Sequence, residues 1–452
     1  MNMRKPLALL LAAGLTLGLA ACGGGATTES PSGGSSETPA GSTGSGSAET
    51  VSLTLWTYPV GSFADNLDAT IAAFNEVHPE IQITYETIDY QNGDTRVTSA
   101  IQGGSTPDLI FEGPERLVGN WGRSGVMVDL SDLWAEEAAA DISAGIAESS
   151  QLDGAYYMYP LSVTAHSMAI NYEVFEAAGA LQYIDEETRT WTTDGFVSAM
   201  AAIRDAIAAG TVNAITPGIV YCGGQGGDQG TRALVNNLYS GYFTNEDGTA
   251  YTADSAENIQ ALELLKTMVD DGSLDANTSF VASDELQAFA NQTCAVTFCW
   301  NYSNYTQYAE QTQFTPFAMA FPSDDGVPEL EMAGPYGFGI FNNGDEAKIE
   351  AAKEFIRFVC NDETQAVECV KQTGFFPVHE NFGDVYAGTD EEETKAPFAL
   401  MSTYLGRFYN LTPGWTEQRT NWWNMLQQIF TDAKDVQTAV TDYVTASNAN
   451  IG

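Results

Sequence analysis

Hydrophobic and polar residues follow two repeating patterns along the chain, and each pattern predicts one kind of element. Period-two alternation or a short apolar run predicts β-strands in VSLTLWT, IQITYETI, PDLIFE and CAVTFCW. Apolar residues three or four positions apart predict amphipathic helices in FADNLDATIAAFNEVHP, TTDGFVSAMAAIRDAIAAG, AENIQALELLKTMVDDG and DEAKIEAAKEFIRFVC. The chain from Thr416 onward also has helical spacing. Strands that alternate with helices predict an α/β fold with a parallel or mixed sheet.

The first residues have the pattern of an export signal. Two positive charges precede an apolar run from Leu7 to Ala21, which is too short to span a bilayer comfortably. The run closes on LAACG, which resembles a bacterial lipobox, where cleavage precedes the cysteine and its thiol is acylated. We therefore predict a lipoprotein signal peptide over residues 1–21 and a lipid anchor, such as palmitate, on Cys22. An ordinary secretory signal is the alternative.

Residues 22–50 have the composition of a flexible tether. After Cys22 they contain mainly Gly, Ser, Thr, Ala and Pro, with no aromatic residue, so they cannot bury enough apolar surface to become ordered. A tether behind an acylated cysteine would hold a globular body away from a membrane. The protein is therefore expected outside the cytoplasm, anchored by lipid alone to the outer face of the cell membrane. The length of the tether favours a Gram-positive surface over a periplasm.

The chain is strongly acidic, and this charge excludes some classes of binding partner. The 17 Lys and Arg residues face 60 Asp and Glu residues, a formal net charge of -43. Long-range repulsion disfavours nucleic acid, anionic lipid and polyanionic ligands, and leaves a neutral or cationic ligand. The glycine-rich GGQGGDQG lacks the Lys-Ser/Thr of a phosphate-binding loop and the dinucleotide spacing, so no cofactor is predicted. It is interpreted as a loop near the ligand, from which Gln225 and Asp228 reach into a cleft.

The cysteines do not form a metal or disulfide motif. Five remain besides Cys22, so at least one is free unless two chains pair. If CAVTFC is a strand, Cys294 and Cys299 stand roughly 16 Å apart on opposite faces, too far to bridge or to share a metal ion. Buried, inert thiols are the resulting prediction. The three histidines are too dispersed in the sequence to suggest a metal site.

Aromatic residues cluster where polar residues interleave with them. Trp300, Asn301 and Tyr302 follow a predicted strand, Tyr336 stands between glycines, and Trp422–Trp423 form a pair. Packing in the core is the alternative for any aromatic residue. Rings beside amides and hydroxyls suit a sugar, whose C–H face stacks on a ring while its hydroxyls are hydrogen bonded. No nucleophile elbow or distinct carboxylate pair of a glycosidase is visible.

Six segments in chain order carry a family resemblance. They resemble the extracellular solute-binding proteins of carbohydrate ABC transporters (family 1, the group that contains maltose-binding protein). The segments are FNEVHPEIQITYE, PDLIFEGPERLVGNWGRSGVMVDLSDLW, YPLSVTAHSMAINYEVFEAAG, RTWTTDGFVSAM, AFANQTCAVTFCWNYSNY and AAKEFIRFV.

The resemblance implies a two-lobed periplasmic-binding-protein fold of type II-like form, with hinge strands and a central ligand cleft. The N-lobe would take residues 51–162 with 334–375, and the C-lobe 163–333 with 376–452. The protein would be a monomer without catalytic activity. It would bind a carbohydrate, expected to be an oligosaccharide, and deliver it to the permease subunits of an ABC transporter.

The resemblance also implies site residues. GPERL matches a turn that offers an acidic residue and an arginine to sugar hydroxyls, here Glu115 and Arg116; a glutamate favoured at a helix N-terminus is the alternative for Glu115. Trp300 or Tyr302 matches a stacking aromatic residue. Trp422 matches the stacking tryptophan of the C-terminal helix.

Two departures from the family pattern put maltose itself in doubt. His166 falls near a hinge-side polar contact at which the family's acidic residue is missing. TYPVGS replaces an Asp-Lys pair, with Tyr58 as a substitute. The sugar, its length and its linkage stay open. A receptor for a polyamine or peptide, and a lipid-anchored glycosidase, are the alternative functions.

Overall fold

The computed structural model describes residues 50–90, 92–223, 228–406, 411–449 and 451. These residues belong to one compact unit. The predicted signal peptide, Cys22, most of the tether and Gln225 lie outside the described residues. Within the described part of the chain, no helix combines the length and hydropathy needed to cross a membrane.

The strands form two main sheets and two short pairs. One sheet has six strands in the order β13-β6-β12-β3-β1-β2, and the other has three in the order β10-β7-β11. β4 pairs with β5, and β8 with β9. The strands are β1 (Val51–Thr57), β2 (Ile81–Thr87), β3 (Leu109–Glu112), β4 (Gln151–Leu152), β5 (Ala155–Tyr156), β6 (Tyr159–Ala165), β7 (Ser167–Asn171), β8 (Ile219–Tyr221), β9 (Asp275–Asn277), β10 (Val296–Trp300), β11 (Pro316–Met319), β12 (Met332–Ile340) and β13 (Phe376–Pro377).

Helices cover the sheets, and a π-helical turn over Leu117–Gly122 directly follows α3. The α-helices are α1 (Leu67–Val77), α2 (Gly93–Gly103), α3 (Pro114–Arg116), α4 (Ser131–Trp134), α5 (Ala144–Ser149), α6 (Tyr172–Ala177), α7 (Thr193–Ala209), α8 (Asp228–Leu238), α9 (Ala256–Asp270), α10 (Ala282–Ala290), α11 (Tyr302–Tyr308), α12 (Glu346–Asn361), α13 (Gln365–Thr373), α14 (Glu392–Ser402), α15 (Trp415–Phe430) and α16 (Val436–Asn448).

The predicted elements are present, and local chemistry explains their limits. β1 buries Leu53 and Leu55 on one face and pairs in parallel with β2 and β3. α7 begins after Thr192, whose side chain accepts a hydrogen bond from the Gly195 amide. It ends at Gly210, whose φ of 67° lies in the left-handed region that favours glycine. The sheet is mixed, because β12 is antiparallel to both β3 and β6.

Each lobe has one large hydrophobic core, and a smaller third cluster around Trp121 also lies in the N-lobe. The N-lobe core contains Leu53, Phe111 and Phe355, and the C-lobe core contains Ile170, Phe298 and Leu426. The chain passes from one core to the other near the end of β6, between residues 163 and 165, at the start of β12, between residues 330 and 332, and between residues 386 and 398. Residues 378, 385 and 386 pack in the N-lobe core, although the sequence assigned them to the C-lobe.

The five cysteines among the described residues are buried and free. Burial raises the pKa of the Cys222 and Cys369 thiols to about 12. Cys294 and Cys299 both lie in the C-lobe core and are not bonded to each other. Thiols with such raised pKa values are poor nucleophiles at neutral pH.

Candidate ligand-binding cleft

A cavity of about 370 Å³ lies between the two lobes. It is located where β3 ends at Glu112 and where Asn301 follows β10, so it lies at the carboxyl ends of strands from both sheets. Its lining combines aromatic, amide and charged side chains. The aromatic ones are Tyr90, Tyr336, Phe375 and Trp415; the uncharged polar ones include His166, Gln229, Asn301, Ser303 and Asn304; the charged ones are Glu112, Glu115, Arg116 and Arg419.

The N-lobe side of the cavity is built around Arg116. Pro114 starts α3 directly after β3, so the guanidinium returns toward the end of that strand. Arg116 donates to Asp94 at 2.6 and 3.2 Å and to Glu112 at 2.8 Å. Burial raises the pKa of Glu112 to about 7, against the opposing attraction of Arg116. Glu115 lines the cavity with its carboxylate 3.7 Å from the Arg116 guanidinium.

Tyr58 lies behind this surface and not in the lining. It is fully buried, and its hydroxyl donates to Asp94 at 3.3 Å. Its ring stacks on Tyr90 with 4.9 Å between centroids. Tyr90 does line the cavity, with 39% of its surface exposed. Tyr58 therefore supports a cavity aromatic residue, and the expectation that it meets the ligand directly is not met.

The C-lobe side begins where β10 ends. The Asn301 side chain accepts a hydrogen bond from the Asn304 amide at 3.1 Å and so caps α11. This cap turns the chain so that Asn301, Ser303 and Asn304 all line the cavity. The Oδ1 atom of Asn304 is buried and has no partner among the described residues.

His166 lies at the junction of the lobes, between β6 and β7. Its backbone amide donates to the Glu331 carbonyl at 2.8 Å, which ties two of the chain crossings together. Burial, and then the nearby Arg232 charge, lower the pKa of His166 to about 4, so the imidazole is neutral at physiological pH. Its Nε2 atom is buried without a partner in the described chain.

Besides Tyr58, four aromatic residues predicted for the site do not line the cavity. Trp300 is fully buried with its ring edge against Phe289, and the Tyr302 hydroxyl donates to Glu391 at 2.6 Å. Trp422 and Trp423 lie in the C-lobe core. Trp422 is fully buried, and its indole Nε1 donates to Thr231 Oγ1 at 3.0 Å. Its ring faces are covered by protein, which corrects the expectation that it meets the ligand.

The tryptophan that does line the cavity is Trp415, the first residue of α15. Seven residues separate it from Trp422, which is about two helical turns, so both project from nearly the same side of the helix. Trp415 lines the cavity, whereas Trp422, which was predicted for the site, is buried two turns further along the helix. Gly414 precedes Trp415 at a φ of 74°, and this turn signal in the sequence could have placed the helix start.

The sequence did not predict several other residues that line the cavity, because they are far along the chain from the residues that it did predict. Phe375 and Tyr336 stack with 5.6 Å between centroids, although only Tyr336 was predicted. Arg419 follows Trp415 by one turn of α15. Asp228, which was expected to reach into the cleft, is fully buried and pairs with Arg232 and Arg419, whereas its neighbour Gln229 lines the cavity.

Two lobes around a cavity at strand ends, joined by several crossings, define the class of two-lobed binding proteins. The chain belongs to the family of bacterial extracellular solute-binding proteins, whose profile matches residues 61–366. A binding protein of Brucella abortus (strain 2308) is 23% identical over 390 residues, which cover 83% of this chain and 87% of that protein.

Solved structures share the fold at low sequence identity. The cyclic alpha-maltosyl-1,6-maltose binding protein of Arthrobacter globiformis has a TM-score of 0.71 and 20% identity, covering 89% of this chain and 99% of that chain. The GacH receptor of Streptomyces glaucescens, solved unliganded and with acarbose, has a TM-score of 0.69 and 13% identity over the same shares of the two chains. The predicted family and the two-lobed α/β fold are confirmed.

Proposed function

We propose that the protein captures a sugar, expected to be an oligosaccharide, in the cavity between its lobes and delivers it to an ABC importer. The observation that supports this most is the cavity lining. It combines exposed ring surface, as on Tyr90, with buried polar atoms that have no partner among the described residues: His166 Nε2, Asn304 Oδ1 and Trp415 Nε1. Buried polar groups are normally hydrogen bonded, so these three atoms are suited to bind ligand hydroxyls.

The balance of charge in the lining favours a neutral ligand over a cationic one. Among the described residues, the two carboxylates Glu112 and Glu115 face the two guanidinium groups of Arg116 and Arg419. The carboxylate of Glu112 is already hydrogen bonded to Arg116. A polyamine would have to compete with Arg116 for this carboxylate. The described cavity lining therefore has as many guanidinium groups as carboxylates, although the chain as a whole is strongly acidic.

Related structures support the same class of ligand. Acarbose and a cyclic maltosyl-maltose are named for the two similar proteins described above. Both compounds are oligosaccharides. We extend that ligand class, though not a particular sugar, to this chain, and propose binding without turnover. Anchoring through Cys22 at the outer face of the membrane completes the proposal and rests on the lipobox-like sequence.

Ligand-dependent stabilisation tests the proposal. Melting curves would be recorded with maltose, maltotriose, acarbose and a cyclic tetrasaccharide, and separately with putrescine and a tripeptide. A sugar present at about 100 times its Kd should add about 2.7 kcal/mol to the free energy of unfolding. Chromatography should recover that sugar intact. Stabilisation by putrescine or the tripeptide alone, or cleavage of the sugar, would contradict the proposal.

A matched pair of variants locates the binding site. Tyr90→Ala removes an aromatic ring that lines the cavity and is 39% exposed, whereas Tyr242→Ala removes one that is 41% exposed on the C-lobe, outside the cavity. Only Tyr90→Ala should weaken the binding of the stabilising sugar in calorimetric titration. Equal effects of the two changes would argue against this cavity as the site.

A further inference from the structure

The short segment Leu411–Trp415 touches both lobes. On one side, Leu411 packs against the N-lobe cluster around Val118 and Trp121, and its carbonyl accepts a hydrogen bond from Arg123 at 2.7 Å. On the other side, the hydroxyl of Tyr251, in the C-lobe core, donates to the carbonyls of Thr412 and Pro413 at 3.2 and 2.9 Å. The segment therefore bridges the two lobes next to the ligand cavity.

Trp415 adds a second bridge across the cavity. Its ring centroid lies 5.5 Å from the guanidinium carbon of Arg116, which belongs to the N-lobe. The same ring lies 4.4 Å from the guanidinium carbon of Arg419, on the C-lobe helix α15. A guanidinium within about 6 Å of an indole ring is attracted to it, and more strongly when both are shielded from water. Trp415, Arg116 and Arg419 are all buried.

Both guanidinium groups are fixed by carboxylates of their own lobe, of which Glu112 and Asp228 are buried and Asp94 is half-buried. Arg116 is held by Asp94 and Glu112. Arg419 is held by Asp228, at 2.7 and 2.9 Å. Because these partners keep each arginine in place, little side-chain freedom is lost when the indole packs against them. The contact therefore depends mainly on how close the lobes are.

The C-lobe network continues to the chain crossing. Asp228 also pairs with Arg232, and Arg232 donates to both carboxylate oxygens of Glu331, at 2.9 and 3.2 Å. Glu331 directly precedes β12, and its carbonyl accepts from the His166 amide. Buried ionic contacts thus connect the tryptophan at the cavity with the place where the chain passes between lobes.

We propose that Leu411–Trp415 is an interlobe latch, in which Trp415 and Leu411 hold the lobes closed through contacts with Arg116 and Arg123. The role of this latch in retaining a ligand rests on the function proposed above. The latch itself consists of contacts within the protein and therefore acts without any ligand. Contacts within the protein therefore contribute part of the free energy of lobe closure. A substantial fraction of the ligand-free molecules is closed.

The distance between the lobes can be measured in the full chain without sugar. Spin labels would be placed on Val77→Cys at the end of α1 in the N-lobe and on Ile215→Cys in the C-lobe, positions that are 60% and 76% exposed. The native cysteines of the described residues are buried, so the introduced thiols react first. Pulsed electron resonance then gives the distribution of label distances, from which the ratio of closed to open molecules is read.

Trp415→Leu and Arg123→Gln each remove one side of the latch and leave Arg116 paired with its carboxylates. Each should lower the ratio of closed to open molecules, by about threefold to thirtyfold for the loss of the cation–π contact. Trp415→Phe keeps an aromatic face and should restore part of the closed population. Arg96→Gln is the matched control, because Arg96 lies 4.4 Å over Trp56 within the N-lobe alone. It should leave the distances unchanged.

Two results would overturn the latch. One is a parent distance distribution already as wide as that of Trp415→Leu. The other is an equal shift in Arg96→Gln, which would mean that any lost cation–π contact loosens the protein. Melting curves identify a variant that fails to fold, and Arg123→Gln then tests the latch through the Leu411 contact alone. Because no ligand is added, the result can be read whether or not a sugar binds.

Discussion

At the scale of single residues, the carboxyl of Glu285 on α10 is an ionisable group buried outside the cavity. The residue is fully buried, and its oxygens accept hydrogen bonds from Thr297 Oγ1 at 2.6 Å and the Phe298 amide at 2.9 Å. Burial raises its pKa to about 8. The two hydrogen bonds favour the charged form but do not outweigh its desolvation.

This raised pKa makes the stability of the protein depend on pH. The pKa of a glutamate in the unfolded chain is about 4.3, so between that pH and about 8 the native state holds a proton that the unfolded state has released. The free energy of unfolding therefore falls as the pH rises through this window. Glu285→Gln should remove the contribution of this carboxyl to the decrease in the free energy of unfolding with rising pH.

Urea denaturation at several pH values between about 5 and about 8 measures how the free energy of unfolding changes with pH. Glu285→Gln should gain stability relative to the parent protein when the pH is raised from about 5 to about 8. Glu263→Gln makes the same chemical change at an exposed position of α9 and serves as the control. Parallel pH profiles for Glu285→Gln and the parent protein would show that Glu285 is not the source of the slope.

The two tryptophans of α15 should behave differently when they are removed. Trp422→Ala leaves a cavity in the C-lobe core and should cost about 3–5 kcal/mol of the free energy of unfolding. Trp415→Ala removes a ring beside the ligand cavity and should weaken sugar binding by about tenfold or more at a smaller cost in stability. Calorimetric titration and urea denaturation of both variants separate the roles. Lost affinity with an intact core in Trp422→Ala would restore the original assignment.

At the scale of elements, side-chain caps close the N-termini of several helices in the described chain. Thr192 accepts from the Gly195 amide at 3.0 Å at the start of α7, and Asp345 accepts from the Ala347 and Lys348 amides at the start of α12. Both helices cover the core of their lobe, α7 in the C-lobe and α12 in the N-lobe. A cap therefore contributes to the stability of a whole lobe.

Removing one cap should have a moderate and local cost. Thr192→Ala leaves the Gly195 amide without its side-chain acceptor and should lower the free energy of unfolding by about 1 kcal/mol. Ser198→Ala lies inside the same helix and, because alanine is the better helix former, should not lower it. Urea denaturation compares the two. A loss in Ser198→Ala as large as that in Thr192→Ala would mean that the cap is not responsible.

At the scale of the whole molecule, attachment to a membrane rests on one residue outside the described part of the chain. If Cys22 is acylated, Cys22→Ala should move the protein from the membrane fraction to the soluble fraction. Cys299→Ala, which removes a buried thiol of the C-lobe, should leave it in the membrane fraction. Fractionation followed by immunoblotting measures both. Retention of Cys22→Ala in the membrane to the same extent would contradict the lipoprotein prediction.

The sequence by itself determined the elements whose signal is local. The alternation in β1 and β2, the cap and glycine of α7, and the turn before Glu115 and Arg116 depend on neighbours within a few residues. Asn301 directly follows β10 and lines the cavity, because the carboxyl ends of strands meet at one edge of a sheet. Cys294 and Cys299 are free, as predicted, although β10 begins at Val296 and so includes only the second of them.

Only the tertiary structure decided which aromatic residues face the cavity. Trp415 and Trp422 share a face of α15, and the helical period cannot say which turn reaches the cavity and which enters the core. That choice depends on the packing of α15 against α9 and α16. Tyr90 and Phe375 come from distant parts of the N-lobe chain, and they share the cavity with Trp415 of α15 because the two lobes close on each other.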